Sequence, residues 1–268
     1  MRDWVDDMAQ KVMLVIGAGA GIGGHVARRF AAGGYHTVLA RRSDEAGLAM
    51  LVDQIAASGG SASGKLVDAT LPDAIEELVE EVEGNIGPIE AALFNLGAQI
   101  GNRPLADTTP KMFELGWRMA TFAPFRLARA LLPKMAERGH GAFLVTSATA
   151  AMRGNAGQAS HAAAMAGRRM LCQSLNAEFA PQGVHVAHVV IDAAVDAPDT
   201  LGKMVGDKWD AFKERMGEDG LVDPAALAET YWHIAHQPRS AWTFETDIRP
   251  YRDAPWWNDN PATPIERA

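Results

Sequence analysis

The chain alternates short apolar runs with stretches whose apolar residues recur at helical spacing. The first run, KVMLVI at residues 11–16, breaks into glycines. Ile22, Val26 and Phe30 then follow at intervals of four, which predicts a strand and then a helix. Similar runs predict six more strands, at residues 35–40, 63–67, 89–96, 142–146, 184–191 and 241–248. This alternation predicts an α/β fold of the Rossmann type, in which helices cover both faces of a doubly wound parallel sheet.

Helical periodicity fills most of the segments between the predicted strands. Gly33 and Gly34 are predicted to end the first helix, and Pro124 to bend a long helix at residues 109–138. Further helices are predicted at residues 44–58, 71–83, 158–179 and 224–236. No repeat, linker or low-complexity tract divides the sequence, so residues 1–268 are predicted to form a single domain. Within it we expect an N-terminal extension, a substrate lid and a C-terminal tail, at residues 1–10, 193–221 and 250–268.

Composition and charge narrow the class of protein. The 268 residues are 48% hydrophobic and 22% charged, as in a soluble globular protein. The net charge of −8 argues against nucleic acid and anionic membranes as partners. Cys172 is the only cysteine, so the chain forms no internal disulfide. Residues 1–10 lack the apolar core of a secretory signal, and no stretch approaches the roughly 20 apolar residues of a membrane span. We therefore expect a cytoplasmic protein that binds a small-molecule substrate or ligand.

A glycine motif, G-x-x-x-G-x-G, lies between the first predicted strand and the first predicted helix. Residues without a Cβ let the chain turn sharply and let a pyrophosphate approach the backbone, while the helix N-terminus offers free N–H groups to the anion. Glycine-rich turns also form for purely structural reasons, but the strand–turn–helix context favours a nucleotide. The predicted phosphate-binding residues are Gly17, Gly19, Gly21, Ile22 and Gly23.

The chain resembles the short-chain dehydrogenase/reductase (SDR) family over roughly residues 10–250, beginning with the spacing of these glycines. Asp68, after the third strand and followed by Ala69, matches the acidic residue that meets the adenine ring in that family. Asn95 and Gly97, in the sequence FNLG after the fourth strand, match a further cofactor-binding element of the family. The resemblance implies an NAD(P)-binding oxidoreductase that assembles as a homodimer or homotetramer through the two long helices.

The end of the second predicted strand indicates which nicotinamide dinucleotide binds. Enzymes that prefer NAD need a carboxylate there to bond the ribose 2′-hydroxyl, whereas Arg41 and Arg42 bring two guanidiniums and no acid to that spot. A guanidinium bonds two phosphate oxygens at once. The pair therefore predicts NADP(H) rather than NAD(H), although two solvated arginines on a loop are the alternative.

The family's catalytic signature is altered in this chain. SDR enzymes use an Asn-Ser-Tyr-Lys tetrad, in which the tyrosine transfers the proton and the lysine lowers its pKa and binds the nicotinamide ribose. Alignment through the glycine and alanine residues around the motif places the tyrosine and lysine positions at His161 and Met165, and the family's spacing of thirteen residues places the serine at Ala148. Alignment of the long helix through its phenylalanine and proline places the asparagine at Ala120. Methionine has no charge and donates no hydrogen bond, whereas histidine carries a proton near neutral pH. The catalytic candidates are His161, with Thr149 or Ser147 in place of the serine.

Three hypotheses fit these residues. In the first, the protein is an NADP(H)-dependent oxidoreductase in which His161 replaces the tyrosine. In the second, it binds the dinucleotide without catalysis, as a sensor or an inactive partner in an oligomer. In the third, His161 performs a non-redox elimination or hydration, which the intact glycine motif weakens.

The substrate pocket is expected at the carboxyl ends of the strands, as in other open α/β sheets. Its walls are expected from residues 99–105, residues 150–155 and the lid. The lid carries four large apolar side chains, either to cover an apolar ligand or to pack onto the sheet: Met204, Trp209, Phe212 and Met216. No two histidines have the spacing of metal ligands on a helix, so no metal site is predicted.

Overall fold

The computed structural model describes residues 10–97, 103–253 and 255–257. Seven parallel strands form one sheet in the order β3-β2-β1-β4-β5-β6-β7. The strands are β1 Val12–Ile16, β2 His36–Arg41, β3 Ser61–Leu66, β4 Ile89–Phe94, β5 Gly141–Ala148, β6 Val184–Ile191 and β7 Glu245–Ile248. The strand order reverses beside β1, and the crevice at the carboxyl ends of β1 and β4 is where such sheets bind ligands. The predicted Rossmann-type sheet in a single domain is confirmed.

Nine α-helical segments lie among the described residues: α1 Ile22–Ala32, α2 Glu45–Ala57, α3 Ala74–Asn85, α4 Pro110–Trp117, α5 Ala123–Arg138, α6 Ala159–Phe179, α7 Lys203–Val205, α8 Trp209–Met216 and α9 Pro224–Ala235. Their starts follow from local chemistry. Thr109 accepts a hydrogen bond from the N–H of Met112 before α4, and proline, which has no N–H to satisfy, opens α4. In the described part of the chain, no helix combines the length and the apolar character needed to cross a membrane.

Successive side chains of β1 point to opposite faces of the sheet, and the core therefore forms two layers. Val12, Leu14 and Ile16 pack on the face covered by α3, α5 and α6, while Met13 and Val15 pack on the face covered by α1, α2 and α9. All five side chains are at most 2% exposed. Because both faces of a parallel sheet are covered, its central strands are continuous apolar runs, and this is how β1 was recognised from the sequence.

The predicted long helix over residues 109–138 is interrupted, which corrects the single bent helix expected there. α4 and α5 are joined by a π-helical turn at Arg118–Phe122, immediately before Pro124. Proline has no N–H to donate to the carbonyl four residues earlier, so the carbonyl of Ala120 lacks its usual helical partner. β3 also begins before the predicted residue 63, and β7 is shorter than the predicted 241–248. The proposed N-terminal extension, apart from Gln10, and tail residues 258–268 lie outside the described residues.

Candidate functional site

The glycine turn follows β1 directly and has the backbone geometry that its sequence requires. Gly17 has a φ of 93°, a left-handed conformation that side chains disfavour, and its N–H donates to the carbonyl of Ala40 at 2.8 Å. A Cβ on Gly23 would lie 2.4 Å from the carbonyl oxygen of Gly17. Glycine at these two positions therefore allows the first turn of α1 to pack against the strand end.

The start of α1 has the features of an anion site. No side chain caps the helix at Gly21, and its first turn contains no acidic residue. The N–H groups and the positive end of the helix dipole are therefore not met by a carboxylate of that turn. Asn95, just after β4, donates from Nδ2 to the carbonyl of Gly17 at 3.2 Å and so ties the turn to the neighbouring strand.

The ends of β2 and β3 bring Arg41, Arg42 and Asp68 to one edge of the sheet. Arg41 Nη2 lies 3.0 Å from Oδ2 of Asp44. The prediction that no acidic residue lies beside the arginines at the end of β2 was therefore wrong. Arg42 is exposed. Burial raises the pKa of Asp68, but hydrogen bonds from Thr70 and the charge of Arg42 outweigh it and leave that pKa below its usual value. The edge thus presents one paired arginine, one exposed arginine and an ionised carboxylate.

A cavity of about 620 Å³ extends from the glycine turn to α6. Predicted cofactor residues line one end of it: Gly17, Gly19, Gly21, Ile22, Gly23, Asn95 and Gly97. Arg41, Arg42, Asp68 and Ala69 do not line this cavity. The structure therefore brings together the residues predicted for the phosphates and places those predicted for the adenosine end on the adjoining strand ends.

The catalytic candidates also line this cavity. Ser147, Thr149 and His161 all contribute to its wall, together with Met165. Ser147 is only 3% exposed, and its hydroxyl has no hydrogen-bond partner among the described residues. Ala120 is fully buried and does not line the cavity. A hydroxyl and an imidazole therefore both lie in the wall of this cavity.

Only some of the residues that were predicted to form the pocket walls line the observed cavity. Met204, Phe212 and Met216 of the lid line the cavity, but Trp209 packs over Gly202 instead. The lid also covers the glycine turn, since the Cβ of Ala197 lies 3.2 Å from where a Cβ of Gly21 would be. Of the expected wall at residues 99–105, positions 99–102 lie outside the described residues, and Leu105 is 78% exposed.

Sequence comparison agrees with this geometry. The family model for short chain dehydrogenases matches residues 11–198. The chain belongs to the short-chain dehydrogenase family. A short chain dehydrogenase of Pseudocercospora fijiensis is 35% identical over 179 residues, which cover 65% of this chain and 56% of that protein. This SDR chain therefore spans little more than half the length of that curated relative.

Solved structures of the family share its fold. A short-chain dehydrogenase from Rhodopseudomonas palustris is 36% identical, with a TM-score of 0.76 over 90% of this SDR chain and 99% of the other. A metagenomic short-chain oxidoreductase, crystallised with NADP, has the same TM-score at 24% identity and covers 90% of this chain and 96% of its own. At that identity the second similarity shows the fold alone.

Asp192 and Trp256 line the cavity of this SDR protein and were not predicted, whereas Arg153 belongs to the predicted wall at residues 150–155. Asp192 follows β6, and its Oδ2 accepts hydrogen bonds from Arg249 Nε at 3.0 Å and from the N–H of Trp256 at 2.9 Å. Burial raises the pKa of Asp192. Arg153 donates to the carbonyl of Trp256 at 2.7 Å, so the C-terminal tail forms one wall of the cavity. These contacts join distant parts of the chain and left no periodic signal in the sequence.

Arg168 of α6 also lines the cavity and was missed. Its position three residues after Met165 was the available signal, because residues three apart lie on the same face of a helix.

The other buried histidines have structural surroundings. Burial lowers the pKa of His188 to about 4, although Glu245 lies 3.0 Å from its Nδ1. His185 stacks on Trp242, and burial lowers its pKa as well. Neither lines the cavity, and no group of three His, Cys, Asp or Glu residues in the described chain is placed to hold a metal ion.

Proposed function

We propose that this protein is an NADP(H)-dependent oxidoreductase that interconverts a carbonyl compound and its alcohol, with His161 transferring the proton. The observation that carries the proposal is the single cavity that joins the glycine turn to His161 and Ser147. A protein that used the pocket without a nucleotide would have no need of a tight glycine turn in its wall.

The residues fit a nicotinamide dinucleotide. The uncapped start of α1 suits the pyrophosphate, and Arg42, exposed beside Asp68, suits the 2′-phosphate of the adenosine ribose. When bound, the nicotinamide supplies or accepts the hydride. Since Asp44 already engages Arg41, Arg42 is the residue that we assign to the phosphate, and preference for NADP(H) follows from it.

The proton chemistry rests on two groups of the chain. The Ser147 hydroxyl, buried without a partner, is available to donate a hydrogen bond to the substrate oxygen, and Thr149 offers a second hydroxyl at the same wall. His161, on the first turn of α6, is placed to give a proton to that oxygen in the reducing direction and to remove it in the oxidising direction. The altered tetrad is thus proposed to work with an imidazole as its acid and base.

A second function has one observation in its favour. Met165, which is 2% exposed, puts a thioether in the cavity wall where the family resemblance implies a lysine. A dinucleotide-binding protein without turnover would tolerate this side chain. The two functions differ in one result, since only the oxidoreductase consumes NADPH when a panel of ketones and aldehydes is added.

The assignment of Arg42 predicts a change in cofactor selectivity. We expect Arg42→Ala to weaken NADPH binding by about 10-fold and NADH binding by less than about 2-fold, because only NADPH loses a charged hydrogen bond. Arg28→Ala is the matched control, since Arg28 lies on α1 and bonds Gln54 instead. Calorimetric titration measures both affinities, and an equal loss for the two cofactors in Arg42→Ala would remove the assignment.

We also propose that the protein is a homodimer or homotetramer, assembled through the faces of α4, α5 and α6. Trp117, Phe122 and Phe125 stack in a row and remain 39 to 42% exposed. Exposed aromatic clusters of this kind mark interfaces.

The cytoplasmic location of the protein stays a prediction.

A charged side chain in the row of Trp117, Phe122 and Phe125 should dissociate the oligomer. We expect Phe125→Glu to sediment as a monomer at micromolar concentration, because the second copy would bury the carboxylate. Met50→Glu, on the exposed face of α2, is the control and should leave the mass unchanged. An unaltered oligomer in Phe125→Glu would place the interface elsewhere.

A further inference from the structure

Arg168 is a buried cation at the catalytic end of the cavity. It is 1% exposed, although it lines the same cavity as Met165 and His161. Residues three apart on a helix are neighbours on one face, so the guanidinium lies one turn beyond the position where the family resemblance implies a lysine.

Three backbone carbonyls hold the guanidinium, one from each of three chain segments. Nε donates to Ala120, Nη1 to Thr146 and Nη2 to Leu96, at 2.6, 2.6 and 2.7 Å. The carbonyls of Ala120 and Leu96 lie where regular backbone pairing stops, and that of Thr146 lies where the pairing of β5 with β4 ends, although its pairing with β6 continues. Pro124 has no N–H to donate to the carbonyl of Ala120. Leu96 follows the end of β4, and Thr146 lies one residue past the last residue pair between β4 and β5. The arginine therefore fixes the backbone at the pocket floor.

No carboxylate neutralises this charge within salt-bridge distance in the described part of the chain. Glu245, the acid that bonds the neighbouring arginine, is held by Arg169 Nε at 2.7 Å and by His188. The groups that interact electrostatically with Arg168 are neutral at pH 7, because burial raises the pKa of both Cys172 and Tyr231. The cation at the cavity wall is therefore held by carbonyl dipoles, with no acidic side chain of the described residues paired to it.

We propose that Arg168 is the positively charged positioning residue of this site, and that it replaces the cation missing at position 165. Its charge favours negative charge on the substrate oxygen during reduction, and its three hydrogen bonds hold the segments that carry Leu96 and Thr146 in place. The inference rests on the proposed function for its catalytic part and on the structure alone for its electrostatic part.

The same geometry accounts for Met165. A lysine there would bury a second cation within one helical turn of Arg168, and two like charges in a region of low dielectric repel strongly. An uncharged, flexible side chain fills the space without that repulsion.

A double-mutant cycle on thermal unfolding tests the electrostatic part without any turnover. We expect Met165→Lys to lower the Tm by at least about 5 °C more in the wild-type background than in the Arg168→Met background. Met170→Lys, at a half-exposed position on the same helix, is the control and should lower the Tm by the same amount in both backgrounds. Equal decreases in Tm for Met165→Lys in the two backgrounds would overturn the inference.

Kinetics test the catalytic part. Arg168→Lys keeps the charge but not the three-way hydrogen bonding, whereas Arg168→Met keeps neither. We expect kcat to fall by about 100-fold or more in Arg168→Met and by about 10-fold or less in Arg168→Lys, with the Kd for NADPH within about 3-fold of wild type in both. Equal losses of kcat would show that the hydrogen bonds alone matter and would overturn the inference. Should the wild type reduce no carbonyl, the proposed function fails, while the unfolding cycle still decides the electrostatic claim.

Discussion

Replacing His161 with alanine should lower kcat for carbonyl reduction by at least about 100-fold and leave the Kd for NADPH within about 3-fold. His161 lies in the wall of the cavity that Ser147, Thr149 and the glycine turn also line. In the proposed mechanism its loss removes the proton donor and leaves unchanged the residues that we assign to the phosphates. Steady-state kinetics, combined with equilibrium titration of NADPH, separate the two effects.

Ser160→Ala provides the matched control for this variant. Ser160 is the neighbour of His161 on α6 and is equally buried, but its hydroxyl faces Gly116 of α4 and does not line the cavity. Its kcat should stay within about 2-fold of wild type. If His161→Ala were as active as this control, the imidazole would not be the acid and base of the reaction, and Ser147→Ala and Thr149→Ala would be the next variants to measure.

The second large effect is expected at the glycine turn. Gly23→Ala should weaken NADPH binding by at least about 100-fold and lower the free energy of unfolding by about 1–3 kcal/mol. The new Cβ would lie 2.4 Å from the carbonyl oxygen of Gly17 and 3.0 Å from the Cα of Ala18. Both atoms belong to the backbone, which cannot swing away as a flexible side chain does, so the start of α1 must move off the turn.

Denaturant unfolding and calorimetric titration give the two quantities. Gly84→Ala is the control, because Gly84 is inside α3 and a Cβ there meets no atom within 4 Å. Alanine should stabilise that helix slightly, since it loses less conformational entropy than glycine, and NADPH affinity should not change. A Gly23→Ala protein that bound NADPH as tightly as Gly84→Ala would disprove the role of the turn.

Local patterns were sufficient for the architecture. β6 was predicted with both ends in the observed positions, because its eight residues are all buried and flanking polar residues delimit the run. β3 is the weaker case, since serine, glycine and lysine in an edge strand give little apolar signal, and its start was placed too late. The phosphate turn was recognised because its glycines are close in sequence as well as in space.

Contacts between distant segments explain what the sequence did not reveal. The Asp44 carboxylate reaches Arg41 because Asp44 adopts a left-handed backbone conformation, with a φ of 65°, as it caps α2. Arg168 gains its role from three carbonyls, and the nearest of them in sequence is 22 residues away. Neither the backbone conformation of one residue nor the convergence of three chain segments on one side chain follows from hydrophobic periodicity.

Equilibrium titration of the purified protein with NADPH and, separately, with NADH tests the central claim most directly. Tryptophan fluorescence is a suitable signal, because Trp256 lines the cavity. We expect saturable binding of NADPH at micromolar concentration, with NADH at least about 10-fold weaker. Absence of binding by either dinucleotide at millimolar concentration would contradict this expectation, and the oxidoreductase proposal would then be lost along with the assignments of Arg42 and His161.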